Sequence, residues 1–267
     1  MQSTHNIHPC RPLDPKIVPM STSGVVVSII SHNQVALAKR FIGDLLAHCG
    51  RDIDIVLTSN IPEDLSELPK SVQVIRNLSP KGFGANHNAA FKAFSSEYFC
   101  VANPDVRLRS NPFPPLLAAL AHGHVGVAAP LVSSPHGEPE DSARRFPTAA
   151  SLFRKLLGSA PRLDYEIGYT PISPDWVAGM FMLFRGNLFQ AIDGFDERYF
   201  LYYEDVDLCA RVQLAGLTVV LDPSSTVVHD ARRASRGNPR HAWWHMRSMI
   251  RYLASPVYHE LRERRLI

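Results

Sequence analysis

The sequence predicts an α/β fold, a mostly parallel, doubly wound sheet with helices on both faces, and three observations point to it. Short apolar runs rich in β-branched residues alternate with segments whose apolar residues recur at helical spacing. The first of these runs, Gly24 to Ser31 (G-V-V-V-S-I-I-S), reads as a buried strand. Polar clusters then fall at strand ends and helix starts, where an open α/β sheet gathers its ligands.

Taken in order, Gln34 to His48 repeats Leu37, Phe41 and Leu45 at helical spacing, Asp52 to Thr58 is a second strand and Val72 to Arg76 a third. Gly84 to Phe94 reads as a helix, and Tyr98 to Ala102 as a strand running into Asn103-Pro104-Asp105. Between Asn111 and Pro174 ten prolines blur the pattern; Val125 to Leu131 is expected as a strand, and Ser133 to Phe146 as a polar loop that acts as a lid or acceptor loop. Trp176 to Phe184 then reads as a strand, Gly186 to Ile192 and Asp205 to Ala215 as helices, and Leu217 to Leu221 as a strand.

The 267 residues allow one large domain or two small ones. A hydrophobic share of 45% and a charged share of 20% exclude a disordered or collagen-like chain. No run reaches the ~18 apolar residues of a membrane span. Cys10, Cys49, Cys100 and Cys209 lack the spacing of a disulfide framework or a C-x-x-C pair, which fits a reducing, cytoplasmic setting. Residues 1–23, broken by Pro9, Pro12, Pro15 and Pro19, are expected to be a poorly ordered leader and lack the layout of a signal peptide.

The net charge of +3 is unevenly placed: residues 231–267 hold nine Arg and two Glu, a balance of +7, leaving −4 for the rest. This divides the chain into a main domain at 24–230, with a nucleotide half at 24–110 and an acceptor half at 111–230, and a basic extension at 231–267. If residues 238–254 are helical, Trp243, Met246, Ile250 and Leu253 share one side and Arg240, Arg247 and Arg251 another. Such a helix either lies on an anionic membrane or packs its stripe on the body. Nucleic acid is excluded as a partner by the negative body and the lack of a recognition module.

Three clusters carry chemistry. Asn103-Pro104-Asp105 either holds a divalent cation or is an ordinary turn. Glu204, Asp205 and Asp207 in one first turn, with Arg211 beyond, either cap an amphipathic helix or supply a general base from crowded carboxylates. His229 ends a strand, Val227-Val228-His229, as a metal ligand or as a histidine without a site role.

Together and in order, Asn77 to Ala90 (N-L-S-P-K-G-F-G-A-N-H-N-A-A), Asn103-Pro-Asp105, Trp176-Val-Ala-Gly179, Gly194-Phe-Asp-Glu197, Phe200 to Arg211 (F-L-Y-Y-E-D-V-D-L-C-A-R) and His229 resemble the inverting family-2 glycosyltransferases of the GT-A fold. More narrowly they resemble the rhamnosyltransferase branch that builds bacterial cell-surface polysaccharide, over roughly Val25 to Leu253. The resemblance implies transfer of L-rhamnose from dTDP-L-rhamnose to a lipid-linked or surface glycan, with Mg²⁺ or Mn²⁺, at the inner face of the membrane. It places Ser31, Asn33, Ser59, Gly82, Gly84, Asn86, Asn103 and Asp105 around the donor, and Asp105 and His229 on the metal. Asp205 becomes the base, with Glu204 the second choice, and Trp176 and Gly179 line the acceptor side; Trp176 equally suits plain core packing. Where many relatives carry an aspartate near the end of the second strand, this chain has Leu57-Thr58-Ser59-Asn60, which leaves a UDP-hexose donor open, and a turnover-less binding or scaffold subunit is the alternative of another class.

Overall fold

The computed structural model describes residues 24–50, 52–156, 163–229, 239–264 and 266–267. The leader, the boundary at residues 230–231 and the first residues of the basic extension lie outside them. Strands β1 (Val25–Ser31), β2 (Ile53–Ser59), β3 (Gln73–Arg76), β4 (Tyr98–Ala102), β5 (Val106–Arg107), β6 (Val125–Ser133), β9 (Phe181–Arg185) and β10 (Thr218–His229) form an eight-stranded sheet in the order β3-β2-β1-β4-β9-β6-β10-β5. A separate pair, β7 (Ala143–Arg144) and β8 (Trp176–Val177), pairs antiparallel. The helices are α1 (Val35–Cys49), α2 (Phe83–Ala93), α3 (Phe113–Ala121), α4 (Ala149–Leu156), α5 (Gly186–Ala191), α6 (Glu204–Leu214), α7 (Pro239–Leu253) and α8 (Pro256–Glu263).

Every residue of β1 is buried, Ser28 and Ser31 included, as its largely apolar run requires of a strand covered on both faces. Alternate side chains along each strand feed two cores. Val25, Val27 and Ile29 meet Phe41 and Leu45 of α1 and Leu116 of α3 on one face. Val26, Phe99 and Phe184 meet Phe91 of α2, Phe189 of α5 and Val206 of α6 on the other. Phe41 is fully buried, and truncating such a residue to alanine costs about 3–5 kcal/mol.

The sheet departs from an all-parallel reading in two places. β9 runs antiparallel to both β4 and β6, and β5 antiparallel to β10. The segment expected as one strand from Trp176 to Phe184 is split, because the chain bends at Ala178-Gly179-Met180 and the Met180 N–H closes back on the Ala178 carbonyl at 2.7 Å. β9 follows directly on this bend. The strand expected at Leu217 to Leu221 continues to His229, with an irregularity between Asp222 and Thr226. Pro223 lies there, without an N–H for the ladder, and the Asp222 carboxylate accepts from the Ser224 N–H at 2.9 Å.

Candidate active site

The residues expected around the donor begin where β1 and β2 end. Asn33 stands exposed with φ 60, a left-handed position that asparagine tolerates. The Ser31 hydroxyl is buried and donates to Glu63 Oε1 at 2.8 Å, and the Ser59 hydroxyl donates to the Ile61 carbonyl at 2.6 Å. Both hydroxyls therefore shape the strand ends, while Thr58 Oγ1 is buried with no hydrogen-bond partner. Residues 77–82 are pinned by three asparagines: Asn77 Nδ2 donates to Asn60 Oδ1 at 2.8 Å and Asn86 Oδ1 at 2.6 Å, and Asn60 Oδ1 also accepts the Lys81 N–H at 2.8 Å.

The two glycines of this loop have packing reasons of their own. A Cβ on Gly82 would sit 2.9 Å from the Phe200 carbonyl oxygen, and one on Gly84 would sit 2.5 Å from Phe195 Cβ. They let the N-terminus of α2 press against the segment that leads into α6. His87, one turn on, is fully buried; burial pushes its imidazole down to about 3, so it is neutral, with Nδ1 2.8 Å from Ser28 Oγ.

Asp105 and His229 come together from the ends of β4 and β10. His229 Nε2 lies 3.3 Å from Asp105 Oδ2, and its Nδ1 2.7 Å from Glu140 Oε2. Burial opposes charge on this imidazole, but the two carboxylates raise it to about 9. Asp105 Oδ1 is buried and has no hydrogen-bond partner. The orphaned Asp105 oxygen fits a divalent cation, and His229 joins it as a ligand once Nε2, which faces Asp105 here, gives up its proton to leave the neutral imidazole with Nδ1 held by Glu140. Among the described residues no group of three or more His, Cys, Asp or Glu is placed to hold a metal, so these two side chains leave most coordination positions to other ligands.

Two backbone contacts join this pair to the carboxylates of α6. The Asn103 N–H donates to the Met180 carbonyl at 2.9 Å, and the Gly179 N–H donates to Asp205 Oδ2 at 3.0 Å. Asp205 Oδ1 accepts the Val206 N–H at 2.9 Å. Glu204 is buried, and its Oε2 has no partner. Burial, aided by the neighbouring Asp205, pushes Glu204 well above the usual carboxylate range. Burial also raises Asp205, against the pull of the Gly179 and Val206 amides. Amide donors favour the charged form, so of the two carboxyls Asp205 is the one whose anion the backbone supports. Asp207 pairs Arg211 at 2.8 Å, and Arg211 also caps the carbonyls of Ile192 and Gly194.

The turn before α6 is strained: Tyr202 and Tyr203 both take left-handed φ values, 70 and 67. Each such bulky residue costs about 1–3 kcal/mol. Tyr202 Oη lies 2.8 Å from His241 Nδ1 of α7, so the extension holds the turn from behind. In front, Glu204 and Asp205 open into a cleft of about 830 Å³, lined also by Trp176, Arg144, Tyr203 and His245. Trp176 is 8% exposed, donates Nε1–H to the Arg145 carbonyl at 2.9 Å and carries the Arg144 guanidinium 5.3 Å above its ring. It is thus both packed and at the cleft wall. The segment 133–146 is held by bridges from Ser133 to Pro139, Ala143 to Val177 and Arg144 to Trp176, and supplies Glu140 and Arg144.

Sequence reasoning missed Glu140, Glu63, Arg144 and His245. Glu140 and Arg144 lay within the segment already marked as a lid or acceptor loop, and nothing local tied them to His229 or Trp176.

The sheet and its ligand edge define a glycosyltransferase of the GT-A fold. The chain aligns with the structure of GalNAc-T7 with UDP, GalNAc and Mn²⁺ at TM-score 0.64 and 16% identity, over 81% of this chain and 45% of that one. It aligns with the mannosyltransferase PcManGT from Pyrobaculum calidifontis, in complex with GDP-Man and Mn²⁺, at TM-score 0.59 and 15% identity, over 85% and 63%. The model of glycosyl transferase family 2 matches residues 26–186, more than half of the chain, and the protein belongs to that family. Among curated relatives, rhamnosyltransferase WbbL of Escherichia coli K12 is 29% identical over 185 residues, 65% of this chain and 70% of its own. The N-acetylglucosaminyl-diphospho-decaprenol L-rhamnosyltransferase of Mycobacterium tuberculosis H37Rv is 29% identical over 246 residues, 81% and 79%.

Proposed function

We propose that this glycosyltransferase moves L-rhamnose from dTDP-L-rhamnose, with inversion, onto a lipid-linked saccharide at the inner face of the membrane. The observation that supports it is the pair of backbone hydrogen bonds from Asn103 to Met180 and from Gly179 to Asp205, which link the segment of Asp105 to Asp205 on one sheet edge. The names of two relatives support the donor sugar, and that of the mycobacterial relative supports a lipid-diphosphate acceptor.

Ser31, Asn33, Ser59, Gly82, Gly84, Asn86 and Asn103 surround the donor nucleotide, largely through the backbone that their packing fixes. Asp105 and His229 would hold Mg²⁺ or Mn²⁺, which when bound neutralises charge on the departing nucleoside diphosphate. Trp176 offers its ring to the C–H face of the acceptor sugar, and Gly179 serves the acceptor side through its N–H, which donates to Asp205. Asp205 takes the proton of the acceptor hydroxyl. That oxygen forms its bond to the anomeric carbon as the opposite bond, to the diphosphate oxygen, breaks with its electron pair leaving on dTDP.

Calorimetry with dTDP, UDP and their sugars, with Mg²⁺ or Mn²⁺ and then chelator, tests the reading. Metal-dependent binding of dTDP, lost in Asp105→Ala and weakened in His229→Ala, is expected. Preference for UDP would move the donor to a UDP-hexose, and no binding by any nucleotide would leave a scaffold.

A further inference from the structure

Helix α7 presents two different faces. Inward, the Ser248 hydroxyl donates to the Leu201 carbonyl at 2.8 Å, Tyr252 is fully buried, and His245 packs on the Tyr203 ring at 5.3 Å between centroids. Outward, Trp243, Met246 and Ile250 stand 58%, 45% and 58% exposed, one turn apart on a single stripe. Among the described residues none covers them. Trp244 stacks on Phe200 at 5.0 Å, and Phe200, 39% exposed, widens the apolar surface. The helix carries Arg240, Arg247 and Arg251 and no acidic residue.

We infer that this outward face is a docking surface for an anionic lipid bilayer. An apolar stripe with a tryptophan suits the boundary between headgroups and acyl chains, and arginines along its edge suit negative headgroups. The complementarity of charge chooses the occupant: a second copy of this face would set its arginines against their own kind. No helix of the described residues is long and apolar enough to cross a membrane, so the contact is peripheral. Because His245 lines the cleft from the inward side of the same helix, docking brings the mouth beside Asp205 to the lipid surface. The inference rests on the lipid-linked acceptor proposed above and names the surface that meets that lipid.

The test is flotation of the full chain with vesicles of phosphatidylcholine alone and of phosphatidylcholine enriched in phosphatidylglycerol. Binding is expected only to the anionic vesicles, weakening as salt rises, with a blue shift of tryptophan emission. Arg247→Gln should lower the partition about fivefold, and the double variant Trp243→Ser, Ile250→Ser should abolish it. Both should keep the melting temperature and nucleotide binding of the parent, since these side chains face solvent. Failure of the parent to float, equal binding to neutral vesicles, or undiminished binding by the double variant would overturn the inference. So would a concentration-dependent dimer that the double variant dissolves. Nucleotide binding is read separately, so loss of the donor reading leaves this result standing, and the reverse.

Discussion

Replacing Asp205 by Asn separates the proposed base from the scaffold around it. The amide can keep one native contact, its Oδ1 accepting the Gly179 N–H that lies 3.0 Å from Asp205 Oδ2. Its Nδ2 then faces the Val206 N–H, which lies 2.9 Å from the native Oδ1, and two donors meet where one bond stood. Losing a hydrogen bond to a charged acceptor costs about 1.5–3 kcal/mol, which removal of a partly buried charge offsets in part. The folded protein therefore survives. A positioned general base contributes about 10²–10⁴ in rate, equal to ~2.7–5.5 kcal/mol of barrier. Initial rates of sugar transfer should show kcat falling by two to four orders of magnitude, while calorimetry shows donor affinity unchanged. A rate loss below about tenfold, with donor binding intact, would refute the assignment of the base.

Two further expectations concern stability. Glu204 has a folded pKa well above its unfolded value, so its protonated form favours folding in acid and that advantage is lost as pH rises through the folded value. Glu204→Gln should therefore melt above the parent in alkaline buffer and alongside it in acid, the gap growing by about 1.4 kcal/mol for each tenfold by which folding tightens the carboxyl's hold on its proton; equal melting curves at both ends would show that Glu204 is not held as the acid. Gly84→Ala puts a Cβ 2.5 Å from Phe195 Cβ and should cost about 1–3 kcal/mol, lowering the melt by several degrees at about 2–4 °C per kcal/mol. Gly43→Ala, on α1 with nothing within 4 Å, should raise it by up to about 1 kcal/mol, and a reversed order of the two alanine variants would contradict the packing described.

The sheet was legible because β1, β2 and β4 carry largely apolar runs, interrupted only by single polar residues such as Ser28 and Asp54, between polar segments. The direction of β9 was not, since a strand's sequence reports burial and not the sense in which it enters the sheet. Asp105, Glu204, Asp205 and His229 were legible as motifs, but their mutual contacts depend on residues far apart in the chain. Glu140 meets His229 across 89 positions. The left-handed Tyr202 and Tyr203 carried no signal, because that backbone is ordinarily marked by glycine or asparagine and tyrosine adopts it only under tertiary constraint. Of the stripe read from periodicity, Trp243, Met246 and Ile250 stand exposed while Leu253 packs against the core, and that division required knowing that Tyr252 and Ser248 claim the inward side.

The link between the cation-type pair and the base runs through main-chain atoms: the Asn103 amide, the Met180 carbonyl and the Gly179 amide. Alanine scanning leaves all of them in place, so the coupling of the two halves of the reaction is silent to that method. Only a substitution that removes an amide hydrogen, such as Gly179→Pro, cuts the connection. A mutational map would then score Asp105 with His229 and Asp205 as separate groups, with the joint that aligns them missing from the record.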